Sequence, residues 1–264
     1  MVNFEKLCMI EQITGNKYPA SLTPEQEKLL ASMMQRREQG EPLQYILGEW
    51  EFYGLKIFVG KGVLIPRPET ELLIDKILEF SKNRKNLKIL DLCTGSGCIA
   101  LALKKFLPDA EISAVDTSEK ALSYAQKNID FHHLEIKLFH ESVLNPEFAQ
   151  QFQNYDIIVS NPPYLTSEEM ADLQIEVQHE PAIALSGGSP DGTYFYQKIT
   201  NIWKNSLKSG GLLAYEIGWK QASRVREILN SNAFQEIQVF QDYEHRDRVV
   251  TGRKFEKLFQ LCNF

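Results

Sequence analysis

The sequence predicts an α/β protein: a doubly wound, mostly parallel sheet of seven strands that follows a small N-terminal helical domain. Three observations support this fold class. After residue 84, short apolar segments alternate with helix-like segments, as in proteins built around a parallel sheet. A glycine-rich turn joins the first apolar segment to the helix after it. The first sixty residues have a different pattern, which is typical of helices followed by a hairpin.

Residues 1–45 are predicted to form the helical domain. Thr23 is a favourable N-cap, Pro24 suits the first helical position, and Gln26 completes a capping box. Apolar residues then recur at helical spacing up to Gly40, a residue type that commonly ends helices.

Residues 50–65 alternate apolar and polar residues around glycines, which predicts a hairpin. This hairpin linker covers residues 46–65 and leads into a third segment, residues 66–264. This third segment contains the predicted sheet. Five of its stretches are short, apolar and rich in β-branched residues, as buried parallel strands are. They are residues 88–92, 111–116, 135–139, 155–160 and 211–218. Residues 234–254 predict two further strands joined by a polar turn, and we expect these to be antiparallel.

Composition and charge argue against several kinds of protein. The chain has 264 residues and a formal net charge of -6, whereas proteins that grip phosphate backbones usually present a basic surface. Its apolar runs are all shorter than the roughly 20 residues that span a bilayer. The four cysteines, Cys8, Cys93, Cys98 and Cys262, form no Cys-x-x-Cys pair, so neither a zinc site nor a disulfide framework is indicated. We expect a cytoplasmic protein without a metal, a membrane span or a stable nucleic-acid partner, and we expect a monomer.

The glycine-rich turn at residues 91–100 predicts a binding site for an adenosine-containing ligand. Its Gly-x-Gly-x-x-Ala pattern follows a predicted strand and opens a predicted helix, and Asp116 ends the next strand about twenty residues later. The glycines let a ligand approach the backbone, and the acid would hold ribose hydroxyl groups. Dinucleotides and S-adenosylmethionine both remain candidates. Asp91 favours the second, because a carboxylate repels a pyrophosphate and attracts a sulfonium or an amino group.

The segment Asn161-Pro162-Pro163-Tyr164 ends the fourth predicted strand in a turn rich in hydrogen-bond acceptors. Proline has no N–H group, so the strand must stop and no local donor competes for the acceptors. Ligands of open α/β sheets bind beyond the carboxyl ends of the strands, where the strand order reverses, and the first and fourth strands flank that point. The Asn161 side-chain oxygen and the Pro162 carbonyl can accept both hydrogens of an amide or exocyclic amine, which aims its nitrogen at a methyl donor. Tyr164 offers a flat face to a planar group.

Together these motifs resemble class I S-adenosylmethionine methyltransferases that act on planar nitrogens. The segments at residues 64–75, 179–192 and 247–253 narrow the resemblance to the protein N5-glutamine methyltransferases of peptide chain release factors, the family known as PrmC or HemK. The resemblance covers about residues 40–253. The combination of Asn-Pro-Pro-Tyr with the Pro-Arg-Pro-Glu-Thr stretch is specific to this family. The resemblance implies a Rossmann-like methyltransferase sheet.

The resemblance also implies roles for individual residues. Cofactor contacts are implied for Cys93, Thr94, Gly95, Ser96, Gly97, Asp116, Val143 and Asn161. Catalytic contacts are implied for Asn161, Pro162 and Tyr164, which with Pro163 would hold the substrate glutamine. The implied reaction moves a methyl group from S-adenosylmethionine to N5 of the glutamine in the Gly-Gly-Gln motif of class I release factors, which the helical domain would dock. Cys93 stands where many members have glycine, and Ser142 and Val143 where some carry a bulky aromatic residue.

Three other functions remain open from the sequence. The same chemistry on a ribosomal protein glutamine would share nearly every motif. N-methylation of a nucleic-acid base would use the same turn, but it calls for a basic face or a target-recognition domain able to handle a flipped base. A dinucleotide-binding sensor would leave the turn at Asn161 without a role.

Overall fold

A computed structural model describes residues 4–255. The predicted helical domain begins with helices that are joined by short loops. The first helices are Phe4–Thr14 (α1), Pro24–Glu38 (α2) and Leu43–Leu47 (α3). Thr23 caps α2 with the predicted capping box, and Gly40 follows the helix with a φ of +85°. These helices pack around a small apolar cluster that includes Met9, Leu30 and Met33. The α3 helix crosses the boundary predicted between residues 45 and 46.

The predicted hairpin is present directly after α3. Its strands, Glu49–Phe52 (β1) and Leu55–Phe58 (β2), pair in antiparallel register. Irregular chain follows the hairpin and leads into the helix Thr70–Ser81 (α4).

The predicted sheet has seven strands within the described residues. The strands are Lys88–Leu92 (β3), Glu111–Asp116 (β4), Lys137–His140 (β5), Tyr155–Ser160 (β6), Leu207–Glu216 (β7), Phe234–Gln241 (β8) and Asp247–Lys254 (β9). They lie in the order β5-β4-β3-β6-β7-β9-β8. The pairs from β5 to β7 are parallel, whereas β9 runs antiparallel to both β7 and β8. The predicted mostly parallel sheet with two antiparallel final strands is therefore confirmed.

Helices cover both faces of this sheet. They are α4, Cys98–Phe106 (α5), Glu119–His132 (α6), Pro146–Ala149 (α7), Tyr194–Trp203 (α9) and Ala222–Ser231 (α10). The short helix Ser167–Ala171 (α8) has no buried residues and follows the turn after β6. Adjacent strand residues point to opposite faces, so Ile157 packs in the core beneath α4 and α5 while Ile158 packs in the core beneath α9 and α10. Two buried cores on one sheet confirm the doubly wound fold.

Within residues 4–255, no helix is long and apolar enough to cross a membrane. Cys8, Cys93 and Cys98 are free thiols, and Cys262 lies outside the described residues.

Candidate active site

The site forms where the strand order reverses, between β3 and β6. These two strands pair in parallel, with Leu92 opposite Ser160 at their carboxyl ends. The Ser160 hydroxyl donates a 2.6 Å hydrogen bond to the Leu92 carbonyl and so ties the two ends together. The glycine-rich loop after β3 and the Asn-Pro-Pro-Tyr turn after β6 are therefore neighbours, as the sequence predicted.

The glycine-rich loop adopts left-handed backbone conformations that leave room in front of it. Gly95 has a φ of +58°, and a Cβ built on it meets no atom within 4 Å. Gly97 has a φ of +80° and opens α5, where an added Cβ would lie 3.3 Å from the Cβ of Ala125. Gly95 thus faces open space suited to a ligand, while Gly97 allows close packing between helices. Cys93 adopts a φ of +63°, a conformation more usual for glycine.

Asp116, the last residue of β4, is hydrogen-bonded to this loop. Its carboxylate accepts hydrogen bonds from the backbone N–H groups of Gly95 and Ser118, each at 2.8 Å. Burial raises the pKa of Asp116, and the backbone N–H bonds oppose that shift. A carboxylate has about four acceptor sites, so this side chain can accept further hydrogen bonds from ligand hydroxyl groups.

A cavity of about 260 Å³ opens in front of the loop, and we call it the glycine-loop cavity. Its wall includes seven of the eight predicted cofactor residues: Cys93, Thr94, Gly95, Ser96, Asp116, Val143 and Asn161. Ala121, Leu144 and Phe195 add apolar surface of the kind that planar ligand groups pack against. The Trp203 indole N–H donates a 2.8 Å hydrogen bond to the Val143 carbonyl and fixes that part of the wall.

Asp91 does not line this cavity, and the interpretation that its charge faces the ligand is not supported. Its side chain is fully buried, and the Thr94 hydroxyl donates to its Oδ2 atom at 2.5 Å. Its Oδ1 atom has no hydrogen-bond partner. Burial raises the pKa of Asp91 to about 7. The carboxyl group stabilises the turn through Thr94, because the strand end at Asp91 lies within the packed sheet.

The Asn-Pro-Pro-Tyr turn is held from both sides. Asn161 Nδ2 donates to the Thr70 hydroxyl at 3.3 Å, and the Tyr164 hydroxyl donates to Glu216 Oε1 at 3.4 Å. Gln221 donates to the Tyr164 carbonyl at 2.9 Å. Burial, and then the charge of Glu216, raise the pKa of Tyr164, so its hydroxyl keeps its proton and remains a donor.

A second cavity of about 590 Å³ lies beside the first, and we call it the side cavity. Its wall includes Tyr164, Glu216 and the acidic residues of α8. Asn161 lines both cavities, whereas Pro163 lines only the glycine-loop cavity. Pro162 and Gly97 belong to neither wall. The predicted site residues other than Pro162 and Gly97 therefore line one or both of two cavities that meet at Asn161.

A buried carboxylate connects the segments above the cavities. Glu180 is 6% exposed. It accepts a 2.9 Å hydrogen bond from the Ile65 N–H and forms an ion pair with Arg67. Arg67 lines both cavities. The segment before α4 and the segment around residue 180 are thus joined across the site.

Sequence reasoning missed Thr70, Phe195 and the pairing role of Glu180. Two of these contacts join distant parts of the chain: Thr70 is 91 positions before Asn161, and Ile65 is 115 positions before Glu180. Thr70 lies within the Pro-Arg-Pro-Glu-Thr stretch, so that motif contained the available signal.

The geometry suits transfer between two bound groups. The glycine-loop cavity has open space in front of the Gly95 backbone, the carboxylate of Asp116 and apolar surface. The side cavity meets it at Asn161. Asparagine and proline carbonyl oxygens accept hydrogen bonds from a planar nitrogen and can orient it toward the neighbouring space.

Known sequence families match two parts of the chain. The family described as Methyltransferase small domain matches residues 68–183, and the family described as PrmC N-terminal domain matches residues 16–48. A protein of Thermodesulfovibrio yellowstonii named release factor glutamine methyltransferase is 42% identical over 256 residues, which cover 96% of this chain and 90% of that protein. A protein of Clostridium acetobutylicum with the same name is 41% identical over 217 residues, covering 81% of this chain and 75% of that protein.

Among solved structures, a methyltransferase from Pyrococcus furiosus aligns with a TM-score of 0.58 and 17% identity. The alignment covers 89% of this chain and 100% of that one. At this identity the likeness concerns the fold alone, which is the Rossmann-like methyltransferase fold.

Proposed function

The chain belongs to the release factor glutamine methyltransferase family, and from this premise we propose its reaction in detail. It transfers a methyl group from S-adenosylmethionine to the side-chain amide nitrogen, N5, of the glutamine in the Gly-Gly-Gln motif of class I peptide chain release factors.

The position of Asn161 is the observation that supports this reaction. Its side chain lines both the glycine-loop cavity and the side cavity. A residue that touches both spaces can hold an acceptor group in one against a donor group in the other.

The glycine-loop cavity fits S-adenosylmethionine. Asp116 has spare acceptor sites for ribose hydroxyl groups, the space in front of Gly95 admits a ligand close to the backbone, and Val143 and Leu144 supply apolar surface for the base. Thr94 and Ser96 add polar atoms to the same wall. When bound, S-adenosylmethionine supplies an electrophilic methyl group on a sulfonium.

The Asn-Pro-Pro-Tyr turn holds the glutamine amide. An amide nitrogen is a poor nucleophile because its lone pair is delocalised. Asn161 Oδ1 and the Pro162 carbonyl accept its two hydrogens, orient the nitrogen and stabilise the positive charge that develops on it. Tyr164 packs against the planar amide, and Pro163 shapes the wall beside it.

Each of the three segments of the chain has its own task in this reaction. The helical domain at residues 1–45 docks the release factor, residues 46–65 link it, and residues 66–264 perform the transfer. A cytoplasmic location, a monomeric state and the absence of stable nucleic-acid binding stay predictions.

Family membership removes the dinucleotide-binding sensor as an explanation, and two alternative substrates stay distinguishable by experiment. A ribosomal protein glutamine would present the same amide. A nucleic-acid base would present an exocyclic amine, and the acidic residues Glu168, Glu169 and Asp172 in the side-cavity wall are unfavourable for a phosphate backbone.

Peptide mass spectrometry tests the proposal directly. The purified protein is incubated with S-adenosylmethionine and, in separate reactions, a class I release factor, ribosomal proteins and an oligonucleotide. We expect one added methyl group on the Gly-Gly-Gln glutamine, lost in Asn161→Ala and retained in Asn205→Ala, a change at an exposed asparagine. Methylation of a ribosomal protein or oligonucleotide with an unmodified release factor would show that the substrate assignment is wrong.

A further inference from the structure

Thr70 occupies a buried position between two polar side chains that belong to different parts of the fold. It is 2% exposed at the start of α4. Its hydroxyl donates a 2.5 Å hydrogen bond to Glu216 Oε2 at the end of β7. The same oxygen accepts a 3.3 Å hydrogen bond from Asn161 Nδ2 at the end of β6.

The single proton of this hydroxyl decides how Asn161 is oriented. Both oxygens of Glu216 accept hydrogen bonds, Oε2 from Thr70 and Oε1 from Tyr164, so in its ionised form Glu216 takes the Thr70 proton. Only lone pairs of Thr70 then remain for Asn161, which must present its NH2 group to them. The amide oxygen of Asn161 consequently points away from Thr70.

The opposite orientation would work against binding of a glutamine amide. If Asn161 turned its oxygen toward Thr70, its NH2 group would face the NH2 group of the incoming side chain. Two donors facing each other form no hydrogen bond, and both would lose hydration without compensation.

We propose that Thr70 is a positioning residue that fixes the side-chain amide of Asn161 with its oxygen toward the substrate amide, and that Glu216 fixes Thr70 in turn. This inference rests on the proposed function, since it assumes that Asn161 accepts a hydrogen bond from the glutamine amide.

Glu216 is placed to hold this arrangement rigidly. It is 1% exposed, and its second oxygen accepts from the Tyr164 hydroxyl. One carboxylate therefore anchors the side chains at both ends of the Asn-Pro-Pro-Tyr turn, through Thr70 at Asn161 and directly at Tyr164.

Steady-state kinetics of matched variants test the inference. Thr70→Val keeps the shape of the side chain but removes the hydroxyl, whereas Thr70→Ser keeps the hydroxyl. Thr200→Val is the control for loss of a buried threonine hydroxyl elsewhere, because Thr200 is fully buried and hydrogen-bonded to Tyr215, outside both cavity walls.

We expect Thr70→Val to lower kcat for release factor methylation on the order of 100-fold. The Kd for S-adenosylmethionine should change less than about threefold, and any rise in the KM for the release factor should be smaller than the fall in kcat, since only one hydrogen bond of the bound glutamine is lost. Thr70→Ser and Thr200→Val should both keep kcat within about threefold of wild type. If the melting temperature of Thr70→Val is far below that of Thr200→Val, the Thr70→Ala variant takes its place in the same comparison.

Two results would overturn the inference alone while wild type methylates the release factor: a wild-type kcat in Thr70→Val, or a Thr70→Ser variant as slow as Thr70→Val. A wild-type protein that binds S-adenosylmethionine but leaves the release factor unmodified would instead refute the proposed function, and this inference with it.

Discussion

Asp116 shapes the glycine-rich loop, and we propose that the same side chain also binds the ribose of the cofactor. Its two oxygens accept the N–H groups of Gly95 and Ser118, so it shapes the glycine-rich loop and the start of α6 before any ligand is present. Its burial raises its pKa, a cost that the backbone hydrogen bonds reduce. The same carboxylate lines the glycine-loop cavity, where ribose hydroxyl groups can use its remaining acceptor sites.

Asp116→Asn should weaken cofactor binding about 10- to 100-fold, because an amide offers fewer acceptors and brings an NH2 group to a backbone donor. Isothermal titration with S-adenosylmethionine measures the change. Glu119→Gln is the control, since this exposed acid begins α6, the helix that follows Asp116 in the chain. Equal affinities for Asp116→Asn and Glu119→Gln would contradict the predicted ribose contact.

The sequence located residues inside a motif but did not identify the residues that contact a motif from elsewhere in the chain. Asn161 and Asp116 stand at strand ends, and the strand pattern alone locates them. Thr70 reaches Glu216 across 146 positions, so its role depends on the folded sheet. Asp91 stands at a strand end too, but packing buries its carboxylate out of the cavity wall, which periodicity does not reveal.

At the scale of single elements, the Asn-Pro-Pro-Tyr turn depends on a glycine from a distant loop. Gly192 has a φ of +70°, and a Cβ added there would lie 2.1 Å from the Tyr164 carbonyl oxygen and 2.6 Å from Gln221 Nε2. Gln221 is the side chain that donates to this carbonyl. The loop before α9 therefore fits against the turn only without a side chain at residue 192.

Gly192→Ala should displace the Tyr164 carbonyl and reduce both stability and methyl transfer. Gly54→Ala is a matched control, because Gly54 also has a φ of +70° but a Cβ there meets no atom within 4 Å. The control measures left-handed strain alone, about 1 to 2 kcal/mol. Gly192→Ala should lose about 1 to 3 kcal/mol more in urea unfolding, from overpacking. Equal losses in the two variants would refute the packing role of Gly192.

The number and the direction of the strands were predicted well, and their bounds less well. The third predicted parallel strand covered residues 135–139, and β5 runs from Lys137 to His140. The fifth covered residues 211–218, whereas β7 begins at Leu207 and ends at Glu216. Gly210 adopts a φ of +77° within β7, and the pairing with β6 shifts register near Tyr155. The observed strand therefore starts before the predicted one and runs irregularly through Gly210.

At the scale of the whole molecule, Arg37 connects the helical region to the wall of the side cavity. Its guanidinium pairs with Glu5 at 3.0 Å and with Glu176 at 3.1 Å. Gln174 and Val177, on either side of Glu176, line the side cavity. The orientation of the helices against this wall could not be predicted from sequence, because it depends on ion pairs between segments about 140 positions apart.

Arg37→Ala should raise the KM for the release factor several-fold and leave kcat within about twofold, because it loosens the cavity wall without touching Asn161. Arg36→Ala is the control, since Arg36 pairs locally with Glu41 at 2.5 Å. These partly exposed ion pairs contribute about 1 kcal/mol or less to stability, so the melting temperatures of the two variants should be similar. A KM unchanged in Arg37→Ala would show that the wall keeps its shape without this contact.

The two buried acids at the strand ends predict how stability depends on pH. Burial raises the pKa of Asp91 from 3.8 and that of Glu216 from 4.5, each to about 7. Between these values the folded protein binds more protons than the unfolded chain, so the free energy of unfolding falls as pH rises. The contribution of both groups is complete below about pH 4 and lost above about pH 7. Urea unfolding should show a loss of a few kcal/mol between pH 5 and pH 7.5.

Glu216→Gln separates this effect from other titrations. The groups that face Glu216 are Thr70, Tyr164, Arg248 and Glu69, and of these only the hydrogen bonds and Arg248 oppose the raised pKa. Acids with lowered pKa, such as Asp191 and Asp242, affect stability at lower pH and leave this window unchanged. Glu216→Gln should therefore unfold with a shallower dependence on pH between 5 and 7.5, while the exposed control Glu227→Gln keeps the wild-type slope. An unchanged slope in Glu216→Gln would mean that this carboxyl group titrates near its ordinary pKa despite its burial.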